Sequence, residues 1–577
     1  MDLKDQSRES RARSFAEAHD DSPTQLRGAM TGARALVDAL LREGVDHVFG
    51  IPGTQNLAVI DALRDTPKIR FILTRHEQGA AFMAYGFARA AGRPAVVTVT
   101  EGPGVTNLAT AIGGAYRGFV PVISICGVQE SAMRERDASQ DMDQVPFMRP
   151  ITKWAYSIPN VKKVQECVRK AFRVALTEPQ GPAHIEASSE ILLEHTTSEP
   201  IAPGAYRNTV PPACDPGQLD RALELIARAE RPVFVIGRGV LNESATGAMV
   251  KLAERTGIPI ATLQYAPDAF PSTHPLALGP LGRIGSLAAN RIVPQADLII
   301  AIGAHIDYFS TMHRYGIFSQ SAKLIHHSAA PGQIGIVFPV ALGVTGSAAS
   351  FIAGLTERAG KSAARKPWAD FAKARAEWDA ELQSALRPDA VPIQSQFVAH
   401  VIRKVLPREG ILVVDAGNGG KHVRSYFRSH EPGTFMGIDD WGSVGGSLPM
   451  ALGAKLARPD RPVLCAAGDM GVMCNIGELE TAVREKIPVV CVVFNDQGLG
   501  NERAFQNEHY GGRFYAVDYK NPDFGALAKV FGAHGEQVTK PADLEPALKR
   551  AFASGKPAIV DVLIDQKTLA PVVYKPS

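Results

Sequence analysis

The sequence predicts an α/β protein built from mostly parallel sheets, and three observations carry that prediction. Short, nearly continuous Val/Ile/Leu runs recur along the chain. Helical stretches alternate with them. Two compositionally distinct stretches then divide the runs into three groups. The runs are 94–100 (PAVVTVT), 121–126 (PVISIC), 232–236 (PVFVI), 297–302 (DLIIAI), 410–414 (GILVV), 462–467 (PVLCAA), 488–494 (PVVCVVF) and 557–564 (PAIVDVLI). An apolar run without polar alternation is a strand covered on both faces, as in a parallel sheet flanked by helices. Strand-then-helix alternation is the α/β pattern.

Length agrees. At roughly 100–200 residues per domain, 577 residues correspond to about three to five domains. The stretch 196–214 is rich in Pro, Thr and Ala, and 358–393 is strongly charged; both read as linkers. The expected domains are 29–195, 215–357 and 393–566, with flexible tails at 1–28 and 567–577. Lys plus Arg number 62 against 59 Asp plus Glu, and no basic block stands out, so neither nucleic acid nor a polybasic membrane contact is expected. No apolar run reaches the ~18–20 residues of a membrane helix. The first 28 residues lack the apolar core of a secretory signal. None of the six cysteines forms a CxxC pair, so buried reduced thiols and a cytoplasmic location are expected.

The candidate chemistry starts in the third block. A strand ends in Gly468-Asp469-Met470-Gly471, where glycines let backbone N–H groups approach a phosphate. A helix is expected to begin near Asn475. The next strand ends in Asn495-Asp496-Gln497-Gly498. One strand–helix–strand unit separates Asp469 from Asp496, which puts both carboxylates at the same sheet edge. Two oxygen ligands beside a diphosphate make a Mg²⁺ site. In the first block, Arg75-His76-Glu77-Gln78-Gly79-Ala80 opens an Ala-rich helix, and the following strand ends in Glu101-Gly102-Pro103-Gly104-Val105-Thr106-Asn107.

These motifs, in this order, resemble the thiamine diphosphate (ThDP) enzymes of the acetolactate synthase and pyruvate decarboxylase superfamily, with acetolactate synthase-like large subunits the nearest overall. Phe49-Gly50-Ile51-Pro52-Gly53, Gly181-Pro182 and Leu448-Pro449 extend the resemblance over roughly residues 30–565. It implies a pyrimidine-binding domain, a central Rossmann-like domain and a diphosphate-binding domain. It implies that Glu77 hydrogen-bonds N1′ of the aminopyrimidine and promotes loss of the C2 proton. Gly102, Pro103, Gly104 and Asn107 would lie near that ring. Asp469, Asp496 and the Gly498 carbonyl would hold Mg²⁺, with Asp496 standing where the family usually has Asn. Gly468, Met470 and Gly471 would face the diphosphate. The segment 417–422 (GNGGKH) matches a second phosphate loop, making Asn418, Gly419 and His422 candidates, while Lys421 reads as either a phosphate partner or plain surface. Gly442, Ser443 and Val444 match the segment that holds the cofactor bent.

The central block opens Gly237-Arg238-Gly239 after a strand, as in FAD-bearing relatives, but Ala330 stands where those have an acid. FAD is therefore the less favoured reading and a purely structural domain the more favoured. Thr54, Gln55 and Gln140 are candidate catalytic residues by register, with Gln144 beside them. Glu502 matches the proton-shuttling glutamate of pyruvate decarboxylases. Asn501, Arg503 and Phe505 fall where acetolactate synthases select substrate.

Three reactions remain open: 2-oxo acid decarboxylation with carboligation, decarboxylation with aldehyde release, and acyloin or 2-hydroxyacyl-CoA lysis. A non-catalytic regulatory protein is the fourth reading, and intact Glu77 and Asp469 argue against it. The resemblance implies a small 2-oxo acid or aldehyde as substrate. The family shares each site between subunits, so a homodimer or homotetramer is implied.

Overall fold

A computed structural model describes residues 29–197, 201–359, 368–438 and 440–570. The tail expected at 1–28, and residues 571–577 of the other, lie outside the described residues. Three six-stranded sheets organise the chain.

The first sheet holds β1 (His47–Gly50), β2 (Arg70–Leu73), β3 (Ala95–Val99), β4 (Val122–Val128), β5 (Trp154–Ser157) and β6 (Ala183–Ser188), in the order β2-β1-β3-β4-β6-β5. The second holds β7 (Pro232–Ile236), β8 (Ile260–Thr262), β9 (Ala277–Pro280), β10 (Leu298–Ile302), β11 (Lys323–Ser328) and β12 (Leu342–Thr345), in the order β9-β8-β7-β10-β11-β12. This is the doubly wound dinucleotide-fold order. The third holds β13 (Ile411–Val414), β14 (Phe435–Gly437), β15 (Val463–Gly468), β16 (Val490–Asn495), β17 (His534–Val538) and β18 (Ala558–Leu563), in the order β14-β13-β15-β16-β18-β17. The first and third sheets thus share one topology. Every pairing within the three sheets is parallel. All eight apolar runs of the sequence lie on strands, and the central strands are buried along their length.

The outer units share a core. Helices α1 (Glu77–Ala91) and α2 (Pro103–Arg117) follow β2 and β3. On the third unit, α4 (Asn418–Tyr426) follows β13 and α5 (Ser447–Ala457) precedes β15. Apolar residues of α1 and α5 fall in one buried cluster. A Cβ on Gly86 of α1 would collide with the Met450 carbonyl, and one on Gly453 of α5 with the Met83 carbonyl. Glycine at both positions lets the helix backbones touch.

Two expectations are corrected. The charged stretch 358–393 contains α3 (Ala369–Ser384), which buries Phe371, Ala374 and Trp378 against the middle unit. Its other faces carry the charges, and these hid the narrow apolar stripe. The helix expected near Asn475 starts at once after the strand, as α6 (Asp469–Cys474), and α7 (Glu478–Arg484) follows as a second piece. The side-chain amide of Asn475 turns back to the Gly445 carbonyl at 2.7 Å, in the break between them. Among the described residues, no helix is long and apolar enough to cross a membrane.

Candidate functional site

The third sheet's carboxyl edge gathers acids. Gly468 pairs with Phe494 in register, so Asp469 and Asp496 leave neighbouring strands at one edge. Both are buried. Asp469 accepts hydrogen bonds from Tyr519 Oη (2.8 Å), Asn521 Nδ2 (2.7 Å) and its neighbour Met470 N (2.6 Å). Tyr519 also reaches the Gly498 carbonyl at 3.1 Å, which ties that carbonyl to the Asp469 side. Burial, and then the charge of Asp469, push the Asp496 carboxyl up to about 7. Burial raises Asp469 as well. Two buried carboxylates and a carbonyl at one sheet edge are a donor set suited to a divalent cation.

The loop 442–446 lies beside them. Asp415, at the carboxyl end of β13, accepts from Gly445 N at 3.1 Å and Ser447 Oγ at 2.9 Å, and so pins this loop. It is fully buried and burial lifts it to about 6. Gly442 and Gly445 have φ of +65° and +93°, a left-handed backbone suited to glycine. The Ser443 hydroxyl and the Asn475 side-chain oxygen are buried without a hydrogen-bond partner. Cβ atoms on Gly417, Gly442 and Gly468 would meet open space. Orphaned polar atoms around open glycine loops fit a polar, phosphate-bearing cofactor. Val444, Met470 and Met473 are left substantially exposed there. On α4, Asn418 donates to the Thr568 carbonyl and accepts from Ala570 N, and His422 lies 3.3 Å from the same carbonyl. The segment 568–570 therefore covers these two candidates.

At the first sheet's carboxyl edge, Glu77 is the first residue of α1, half-buried, with Oε2 accepting from Asn107 Nδ2 at 2.9 Å. Glu478 of α7 crosses from the third unit and accepts from Arg75 N (3.1 Å) and His76 N (3.0 Å), fixing the turn that presents Glu77. Gly102 has φ +63° and caps α2. Its N–H donates to Gln144 Oε1 at 2.9 Å. Gln55 Nε2 donates to Gln140 Oε1 at 3.3 Å, so these two candidates meet beside the Gly-Pro-Gly turn. Thr54 is exposed at the start of its short helix.

The candidates on α8 (Gly500–His509) diverge. Glu502 is exposed and hydrogen-bonded to Asn501, whereas Arg503 is buried and paired with Asp518. Asn501 and Phe505 line a cavity of about 240 Å³ between the middle and third units, with Arg283, Lys421 and Arg424. A separate cavity of about 120 Å³ lies at the carboxyl ends of β7, β10 and β11, lined by Arg238, Gly239, Ala304 and His305.

Sequence reasoning missed Asp415, Glu478 and Arg283. For Asp415 a signal existed: an acid directly after a fully apolar strand and before a glycine-rich turn. The other two are single charged residues whose partners are far away in sequence.

The N-terminal TPP-binding domain of thiamine pyrophosphate enzymes matches residues 30–147, the central domain 219–355 and the C-terminal TPP-binding domain 415–562. A probable acetolactate synthase large subunit of Methanocaldococcus jannaschii is 34% identical, over 94% of this chain and 93% of its own length. A sulfoacetaldehyde acetyltransferase of Alcaligenes xylosoxydans xylosoxydans is 32% identical over 92% and 93%. The acetolactate synthase isozyme 3 large subunit of Escherichia coli is 30% identical over 93% and 95%.

Proposed function

The chain belongs to the thiamine pyrophosphate enzyme family, and on that premise we propose that it decarboxylates a 2-oxo acid and joins the remaining fragment to a second carbonyl compound. The observation that carries this reading is the pairing of Glu77 with Asn107 at the first sheet's edge, set against the buried Asp469–Asp496 pair at the third's. When bound, thiamine diphosphate supplies an acidic carbon and an electron sink for the carbanion left by CO₂.

The chain's own residues supply the rest. Asp469, Asp496 and the Gly498 carbonyl would hold Mg²⁺, and the 468–471 turn would offer N–H groups to the diphosphate. Glu77 holds or releases a proton at the aminopyrimidine, with Asn107 fixing its orientation. Ser443 and Val444 would contact the cofactor from the loop that Asp415 pins. Gln55 and Gln140 face the reacting carbonyl as a hydrogen-bonded pair.

The likeness over nearly the whole chain to acetolactate synthase large subunits and to a sulfoacetaldehyde acetyltransferase supports carboligation over aldehyde release. The exposed apolar side chains of Val444, Met470 and Met473 support a second subunit closing over this edge, in a homodimer or homotetramer.

The test is incubation of holoenzyme with pyruvate alone and with added aldehydes or 2-oxo acids, with products resolved by chiral chromatography. A coupled hydroxyketone in step with CO₂ is expected. Free aldehyde without coupling would overturn the ligase reading.

A further inference from the structure

The cavity between the middle and third units carries a charge imbalance that nothing assigned so far explains. Its lining bears three cations, Arg283, Lys421 and Arg424, and one acid, Asp415. That acid is already committed to Ala416 N, Gly445 N and Ser447 Oγ. Arg283 Nε and Nη2 and Lys421 Nζ are buried with no hydrogen-bond partner. Both cations flank one ring: Arg283 Cζ lies 5.3 Å, and Lys421 Nζ 5.5 Å, from the centre of Phe505. Ring faces attract cations, but they do not satisfy N–H donors. Each cation also opposes the other, and burial pulls both below their ordinary range, Lys421 to about 8. Unpaired buried cations are a standing cost unless an anion arrives.

Position says which anion. Gly417 and Gly442 line the same cavity. The cavity therefore touches the loops assigned to the cofactor on the third unit, while Arg283 lines it from the middle unit, beside Phe309. The diphosphate is assigned to the 468–471 turn and to Asn418, Gly419 and His422 of the 417–422 loop; Arg283, on the middle unit, belongs to neither. An occupant spanning this cavity has its reacting end at the cofactor and its charge at Arg283 and Lys421.

We propose that Arg283 and Lys421 bind an anionic group carried by the carbonyl substrate, a sulfonate, phosphonate or second carboxylate remote from the reacting carbon. This chain then selects charged carbonyl substrates over simple ones. The inference rests on the reaction proposed above only in naming the occupant a substrate.

Isothermal titration calorimetry on ThDP- and Mg²⁺-loaded protein tests it, with sulfoacetate, succinate and inorganic phosphate as probes and acetamide as the neutral control. Saturable binding of the two organic anions is expected, weakened at least about tenfold by Arg283→Met and by Lys421→Met, since a charge-assisted hydrogen bond is worth about 1.5–3 kcal/mol. Acetamide gives no heat. Both variants should melt no lower than wild type without ligand, because an unpaired buried charge has been removed. Unchanged probe binding in the variants, binding of phosphate alone, or a loss of ThDP affinity in Lys421→Met equal to the loss of probe affinity would each overturn the proposal. The readout needs no turnover. Protein that binds the probes but releases no CO₂ from pyruvate sinks the reaction and leaves this site standing. Wild-type holoenzyme that couples neutral aldehydes and ignores every probe does the reverse.

Discussion

Glu77 is placed by two residues that lie far from it in sequence. Asn107 holds its carboxylate, and Glu478 holds the two N–H groups before it. Replacing Glu77 with Gln keeps the hydrogen bond and removes the charge. Turnover should fall about 10²–10⁴-fold, the range of a lost general acid–base group, with the melting temperature unchanged. Steady-state kinetics beside a thermal melt separates the two. Glu478→Ala should act differently, because it leaves the Arg75 and His76 N–H groups without their acceptor. A stability loss of about 1–3 kcal/mol is expected in denaturant titration, with partial recovery in Glu478→Gln. Lys421 gives a pH signature. Burial lowers its folded value from 10.5 to about 8. Arg283 and Arg424 line the cavity it faces, along with the bound acid Asp415, and the exposed Glu502 acts on it from α8. Between about pH 8 and 10.5 the unfolded chain binds the extra proton, so this residue's contribution to stability rises with pH and is at its most unfavourable below 8. Lys421→Met should remove that alkaline rise from a plot of unfolding free energy against pH. Residues such as Asp469, Asp496 and Glu77 were legible because each follows an apolar strand or opens a helix beside glycines. Arg283 was not, because a lone arginine between Gly282 and Ile284 carries no local pattern; only folding sets it opposite Lys421.

Elements divide along the same line. Central strands such as β3, β4 and β10 were readable because both faces are buried and the sequence is almost wholly apolar. The edge strand β14 is three residues long, and β11 (KLIHHS) carries two buried histidines whose rings bond the Ala304 and Gly346 carbonyls through Nε2 and the Gly335 and Gly303 N–H groups through Nδ1. Neither reads as a strand without its neighbours. The α3 helix was hidden by its charges, and α6 by its position directly on a strand end. The α1–α5 crossing joins the first and third units, beside the Glu478 contacts to Arg75 and His76. Gly86→Ala would drive a methyl into the Met450 carbonyl, and overpacking of that kind costs about 1–3 kcal/mol. A lowered denaturation midpoint, with Glu77 chemistry kept in the protein still folded, is the expected result. An unchanged midpoint would mean that the helices separate freely.

At the scale of the molecule, two sheets of identical strand order face their carboxyl edges toward functional loops, and a dinucleotide-fold sheet stands between them in sequence. The alternation of runs made the class legible. The shared core of the outer units was not, because roughly 350 residues separate α1 from α5 and no local signal joins them. Light scattering should find a dimer or tetramer, and chelation of Mg²⁺ should release thiamine diphosphate, as followed by equilibrium dialysis. Beneath all of this lies one claim, that Glu77 activates thiamine diphosphate. The most direct measurement is the rate of hydrogen–deuterium exchange at C2 of the bound cofactor, read by NMR after acid quench, in wild type and in Glu77→Gln. The account predicts fast exchange in the wild type and a fall of about 10²-fold or more in the variant. Equal exchange in the two proteins would contradict it.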